Sequence, residues 1–230
     1  MTESPEDSPR VRSTRPSWGD RASIIANVVV VVVVVFLLAR SDGPIARWWA
    51  EKQAREKTEQ RLQAVWPELI QGARTDTGPP GARVIVEFSD YQCPGCQQAH
   101  FQFASVARDA GIGIVLRHVP NAQAHPMAHG AAMAAICARR QGKFIEMNRR
   151  LFTAPDWQTA PMWHRLAADV GIPDSAAFDK CLVDDTVADE IARDLALGGR
   201  IGLRGTPSFV GPSGVFLGIP TKADLLRLIE

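Results

Sequence analysis

The 230-residue chain carries 26 lysines and arginines against 25 acids, a balance that argues against a nucleic-acid binder, which needs a basic excess on one face. The length holds one globular domain and something more. The four cysteines are too few for a small disulfide scaffold, allow two pairs, and do not by number reveal who pairs with whom.

Residues 1–22 are polar, with Ser, Pro, Arg and acids mixed and no apolar period, and read as a disordered tail. Ser23–Ala39, "SIIANVVVVVVVVFLLA", is apolar apart from Ser23 and Asn27 and contains eight consecutive valines. As a helix it spans roughly 25 Å, enough for a hydrocarbon core, and lipid forces such a run to be helical. Two readings compete: a cleaved signal peptide, since arginines precede the run, and an uncleaved anchor. The run exceeds a usual signal core and no clean small-residue cleavage site precedes Arg40, so a single membrane anchor is the expectation. Basic residues flank both sides, from Arg10 to Arg21 and from Arg40 to Lys57, so the positive-inside rule gives no orientation.

Residues 40–76 are rich in Ala, Glu, Gln, Lys and Arg and read as a helical stalk, with Trp48 and Trp49 at the membrane interface. An ordinary first helix of the following domain is the alternative. "TGPPGA" from Thr77 then breaks the chain and opens the domain. "RVIVEF" from Arg83 is a short β-branched run and reads as a buried strand. The motif Cys93–Pro94–Gly95–Cys96 follows directly and enters a helix, with Pro94 suited to its first turn. "IGIVLRHV" is a second strand, stopped by Pro120. A mostly helical stretch from about 126 to 200 comes next. "GTPSFVG" and "GVFLGI" return to strand character. "TKADLLRLIE" closes as a helix with Thr221 as N-cap and Asp224 in the capping-box position. This alternation argues for an α/β domain with a parallel strand pair.

A CxxC admits three uses. A zinc site commonly needs a second CxxC or a spaced pair of histidines, and Cys137 and Cys181 stand far apart without either. A structural staple gains little from closing so short a loop. Disulfide exchange needs a thiolate. A helix N-terminus supplies it, because unpaired N–H groups and the dipole favour negative charge there. Cys93, just before the helix, is then the attacking sulfur, and Cys96, one turn on, the resolving thiol. No metal and no cofactor is expected. His100 lies on the same helix and reads as a packed or surface residue. His118, His125, His129 and His164 receive no catalytic role.

Three blocks together resemble the DsbA-type branch of the thioredoxin-fold oxidoreductases: "VEFSDYQCPGC", "LRHVPNAQAHPMAHGAAMAAICARRQGKF" and "GTPSFV". The resemblance covers about residues 84–230 and leaves the anchor and stalk outside. It implies a thioredoxin-like α/β fold with a helical insertion at about 126–200, a redox pair at Cys93 and Cys96, and a cis bond at Pro207. Thr206 before that proline would pair with the backbone of bound substrate. Glu87 matches a buried acid that accepts a proton from the resolving cysteine in some members; otherwise it is a strand-end glutamate facing solvent. Cys137 and Cys181 match a second, structural disulfide of some members; otherwise they are two buried free thiols. A bonded pair requires an oxidising compartment, which puts the domain outside the cytoplasm.

One departure stands out. The strongest oxidants of the family carry a histidine between the cysteines, and here Pro94–Gly95 brings no charge. The resulting expectation is a single-pass membrane protein with an extracytoplasmic thiol–disulfide oxidoreductase domain. It would form disulfides in exported, cysteine-containing proteins and be recycled by a membrane redox partner. A reductase or isomerase, and a non-catalytic tethered chaperone of the same fold, remain as alternatives, and no nucleic acid is involved.

Overall fold

The structure is a computed structural model that describes residues 18–39, 43–75 and 78–230. The chain divides into two compact units, one ending at Ala54 and one from Arg55 to Glu230. In the first, helix α1 (Trp18–Ala39) contains a stretch, Arg21–Leu38, long and apolar enough to cross a membrane, with all its described side chains exposed. Residues 1–17 of the expected tail lie outside the described residues, and Trp18–Ala22, expected as tail, are helical. Trp48 and Trp49 follow on α2 (Pro44–Leu69), their rings edge to face at 4.8 Å with Lys52 Nζ about 5.5 Å from both.

The second unit is built on a five-stranded mixed sheet of order β1-β3-β2-β4-β5, comprising β1 (Ala73–Arg74), β2 (Val84–Ser89), β3 (Gly113–His118), β4 (Ser208–Gly211) and β5 (Gly214–Leu217). Only β2 and β3 run parallel, from Val84 opposite Gly113 to Ser89 opposite His118. Helix α3 (Pro94–Asp109) makes the crossover between them. It ends where Gly111, at φ 65°, takes the left-handed conformation and the Ile112 N–H donates back to Ala107 O at 2.8 Å, a Schellman closure that turns the chain into β3. Between β3 and β4 lie α4 (Ala128–Arg140), α5 (Phe144–Thr153), a 3-10 turn (Pro155–Gln158), α6 (Trp163–Asp169), α7 (Ser175–Cys181) and α8 (Asp185–Arg200). Helix α9 (Lys222–Leu228) closes the chain with the Thr221–Asp224 capping box complete.

Strand alternation sorts the core. Ile85, Ile114 and Phe209 pack with Phe103 of α3 and Leu225 of α9. Val86, Phe88, Val115 and Val210 point the other way, onto Leu197 of α8 and onto Leu62, Val65 and Leu69 of α2. Here the structure corrects the boundary expected at Thr77. Positions 62, 65 and 69 repeat as one face of a helix, and this sheet face needs a cover, so the end of the supposed stalk is core. Arg117 locks it in place. Its guanidinium donates to Leu69 O at 3.1 Å, to Glu68 O, which also accepts the Gln71 N–H, and to Asp194 Oδ1 of α8 at 2.7 Å, tying down the carbonyl end of α2. A third cluster, with Met147, Leu151, Trp157, Phe178 and Ile191 at its centre, is the interior of the helical insertion.

Candidate active site

The C-terminal end of β2 delivers the chain to the tip of α3. Cys93 takes extended backbone angles, φ −69° and ψ 121°, as the N-cap residue, and Pro94 opens the helix. Both Cys93 and Cys96 are free thiols, Cys93 half-buried and Cys96 buried. Their environments pull apart. The Cys96 thiol aimed at the Cys93 sulfur, the Cys96 and Gly95 backbone N–H groups and the Thr206 side chain together outweigh partial burial, lowering the Cys93 pKa to about 5. Burial, then the neighbouring Cys93 sulfur, push the Cys96 thiol far above its ordinary range. One sulfur is a thiolate at neutral pH and the other a protonated thiol, a division suited to one nucleophile and one held in reserve.

The loop before β4 faces this tip. The Thr206–Pro207 bond is cis, and Cys93 Sγ lies 3.5 Å from Thr206 O. Position 95 is crowded by the same loop: a Cβ built on Gly95 would lie 3.2 Å from Pro207 Cδ and 3.8 Å from Cys93 Sγ.

Glu87 sits behind the pair. It shares the sheet face of Ile85, toward α3, and is 5% exposed, so the solvent-facing alternative fails. Burial raises its pKa to about 7, and the nearby Ser89 hydroxyl offsets part of the rise without closing a hydrogen bond: Glu87 Oε1 and Ser89 Oγ are both buried and unpartnered among the described residues. The Glu87 charge in turn raises the Cys96 pKa. A cavity of about 20 Å³ opens beside Glu87, lined also by His100 and Asn148, room for one water.

Cys137 and Cys181 are bonded to each other, joining α4 to α7. His100 stacks on Phe152 at 4.7 Å. His118 is buried against Tyr91, and burial, with Arg139 and Arg117 nearby, lowers its pKa to about 3, so it stays neutral. Among the described residues no cluster of His, Cys, Asp and Glu is arranged to hold a metal.

The sequence reading passed over Asp90, Gln92, Asn121 and His125. They form a shell around the cysteine turn through contacts 31 and 35 residues apart, and no local periodicity announces such contacts. The one signal available was a buried-type acid placed three residues before Cys93.

A CxxC at a helix N-terminus, opposite a cis-proline loop on a strand–helix–strand unit, defines the class of the thiol–disulfide oxidoreductases. A family model described as Thioredoxin matches residues 72–230, and the chain belongs to that family. Its fold is shared with DsbA-type proteins: the thiol-disulfide exchange protein alpha-DsbA2 from Wolbachia pipientis is 19% identical with a TM-score of 0.62, over 76% of this chain and 95% of that one. A thioredoxin-like oxidoreductase from Silicibacter pomeroyi is 27% identical with a TM-score of 0.54, over 69% of this chain and 85% of that one. Among curated proteins, a chain named Na(+)/H(+) antiporter NhaA 1 from Mycobacterium sp. (strain KMS) is 33% identical over 221 residues, 94% of this chain. This chain spans 34% of that relative's length.

Proposed function

We propose that this protein is a membrane-tethered thiol–disulfide oxidoreductase that works outside the cytoplasm and introduces disulfides into exported proteins through Cys93 and Cys96. The observation that carries the reading is the lowered pKa of Cys93 at the tip of α3, beside a Cys96 held protonated. A stabilised thiolate stabilises the reduced form, and a stable reduced form makes its disulfide an oxidant. A client thiolate attacks Cys93 Sγ of the oxidised pair, the second client thiol completes the client disulfide, and the pair leaves reduced. In the opposite direction Cys96 attacks Cys93 and frees the client, with Glu87 taking the Cys96 proton. The Thr206–Pro207 loop holds the client backbone beside Cys93.

The bonded Cys137–Cys181 pair supports an oxidising compartment. The apolar α1 helix supports the tether, and so does a relative named for membrane transport in which this stretch is one part of a longer chain. A membrane redox partner that reoxidises the pair completes the cycle.

The test is the reduction potential of the Cys93–Cys96 pair, measured on the full chain in detergent against glutathione buffers. The oxidising role requires a value of about −120 to −180 mV, whereas a value near about −270 mV would assign a reductase.

A further inference from the structure

The turn before the CxxC holds an ionisable pair that the exchange chemistry described so far leaves unused. The Asp90 side chain has no exposed surface. Its Oδ1 accepts the Gln92 N–H at 2.8 Å; its Oδ2 accepts the Asn121 N–H at 2.8 Å and contacts His125 Nδ1 at 2.7 Å. Its backbone reaches both cysteines. The Asp90 N–H donates to Cys96 Sγ at 3.4 Å, and Asp90 O accepts the Cys93 N–H at 3.1 Å. One residue therefore fixes both the cysteine turn and an imidazole that arrives from the loop after β3.

A buried carboxylate against Nδ1 selects the tautomer with the proton on Nδ1, which leaves Nε2 as the basic atom. The His125 side chain keeps 21% of its surface exposed. It lines a groove of about 550 Å³ together with Cys93, Val119, Leu195 and Thr206. The groove thus places a basic nitrogen, a reactive sulfur and the cis-proline loop around one space. The segment between the cysteines offers no base of its own, and Gly95 is pressed against Pro207.

We propose that His125 is the general base that activates the client thiol in this groove, with Asp90 as its positioning residue. The proposal rests on exchange at Cys93 and holds in either direction of electron flow. Client thiols are mostly protonated near neutral pH, whereas the attacking species is the thiolate. In the oxidising direction His125 Nε2 takes the proton of the client S–H. The client thiolate attacks Cys93 Sγ, a client–Cys93 S–S bond forms, the Cys93–Cys96 bond breaks, and its electron pair goes to Cys96 Sγ, which takes the proton of Glu87 in the reverse of the transfer proposed above; Glu87 regains a proton from solvent. The proton on Nε2 passes to solvent. The second client thiol is deprotonated at the same nitrogen and attacks the client sulfur of the mixed disulfide, and Cys93 leaves as a thiolate. The client loses two electrons and two protons, and the electrons end on the cysteine pair. In reverse, protonated His125 hands its proton to the departing client thiolate.

The test compares wild type with His125→Asn, which keeps an N–H for Asp90 and loses the base. The full-length oxidised chain in detergent is mixed at pH 7 with a series of small thiols, from aromatic thiols already ionised to alkyl thiols still protonated, and reduction of Cys93–Cys96 is followed by stopped flow. The variant should lose about a hundredfold in rate with the protonated thiols and less than about twofold with the ionised ones. Its reduction potential should match wild type, because a base changes rates in both directions equally. An equal loss across the series would overturn the proposal in favour of a groove-shaping role, and unchanged rates would overturn it outright. A wild-type disulfide that none of these thiols reduces would overturn a different statement, the assignment of the CxxC itself.

Discussion

The molecule holds two cysteine pairs built from the same atoms and put to opposite uses. Cys137 and Cys181 bridge two helices of the insertion across 44 residues, with Cys137 fully buried in an apolar cluster. Cys181 is the last residue of α7, a helix C-terminus, where the dipole disfavours a thiolate. Cys93 and Cys96 are three residues apart, at the tip of a helix, with one sulfur half in solvent. The Cys96 thiol, the Cys96 and Gly95 N–H groups and the Thr206 hydroxyl converge on that sulfur, and its partner is shut away behind it. Reactivity here is a matter of placement. On the proposed reading, a helix N-terminus and a groove make a reagent of one pair, and a helix-to-helix bridge closing a long loop makes a staple of the other.

The sharpest way to break the contrast is to remove one sulfur at a time. Cys93→Ser should abolish exchange entirely, and Cys96→Ser should still attack but accumulate mixed disulfides, visible on non-reducing gels because nothing resolves them. The insertion pair should behave the other way round. Replacing Cys137 and Cys181 together by Ala releases a long loop in the unfolded chain and should cost about 4 kcal/mol of stability in urea unfolding. Exchange at Cys93, assayed below the new midpoint, should stay within about twofold of wild type.

How much of this could be read from sequence follows from the range of each interaction. The CxxC helix, the parallel strands flanking it and the terminal capping box are local patterns of a few residues, and each lies where the sequence places it. The second half of α2 misled, because Leu62, Val65 and Leu69 look like one thin apolar stripe on a charged helix until the sheet face of Val86, Phe88 and Val210 is set against them. The short strand β1 pairs just two residues, Ala73 with Leu116 and Arg74 with Val115, too few to leave a periodicity. Asp90 and His125 were illegible for a related reason: each is an ordinary polar residue of a turn, and their meaning lies in a contact across 35 positions.

Glu87 sharpens the comparison further, since it is a charge buried on the reactive side alone. Burial raises its pKa from 4.5 to about 7, so the folded state resists ionising it. A group whose pKa rises on folding adds stability that is complete below its unfolded value and is lost as pH climbs through its folded value. For Glu87 that window runs from 4.5 to about 7. Glu87→Gln removes the charge at every pH. Relative to wild type, the variant should therefore gain about 2–3 kcal/mol at pH 8 over its standing at pH 4, read from urea midpoints at the two values. An unpartnered amide would cost the same at both, so the difference between them isolates the charge. The same substitution should slow release of client from the Cys93 mixed disulfide by about tenfold or more, because Cys96 then attacks without a carboxylate to take its proton. A stability gain without the slower release would make Glu87 a buried charge and nothing more. Slower release without the pH-dependent gain would mean that water in the neighbouring cavity already solvates the carboxylate.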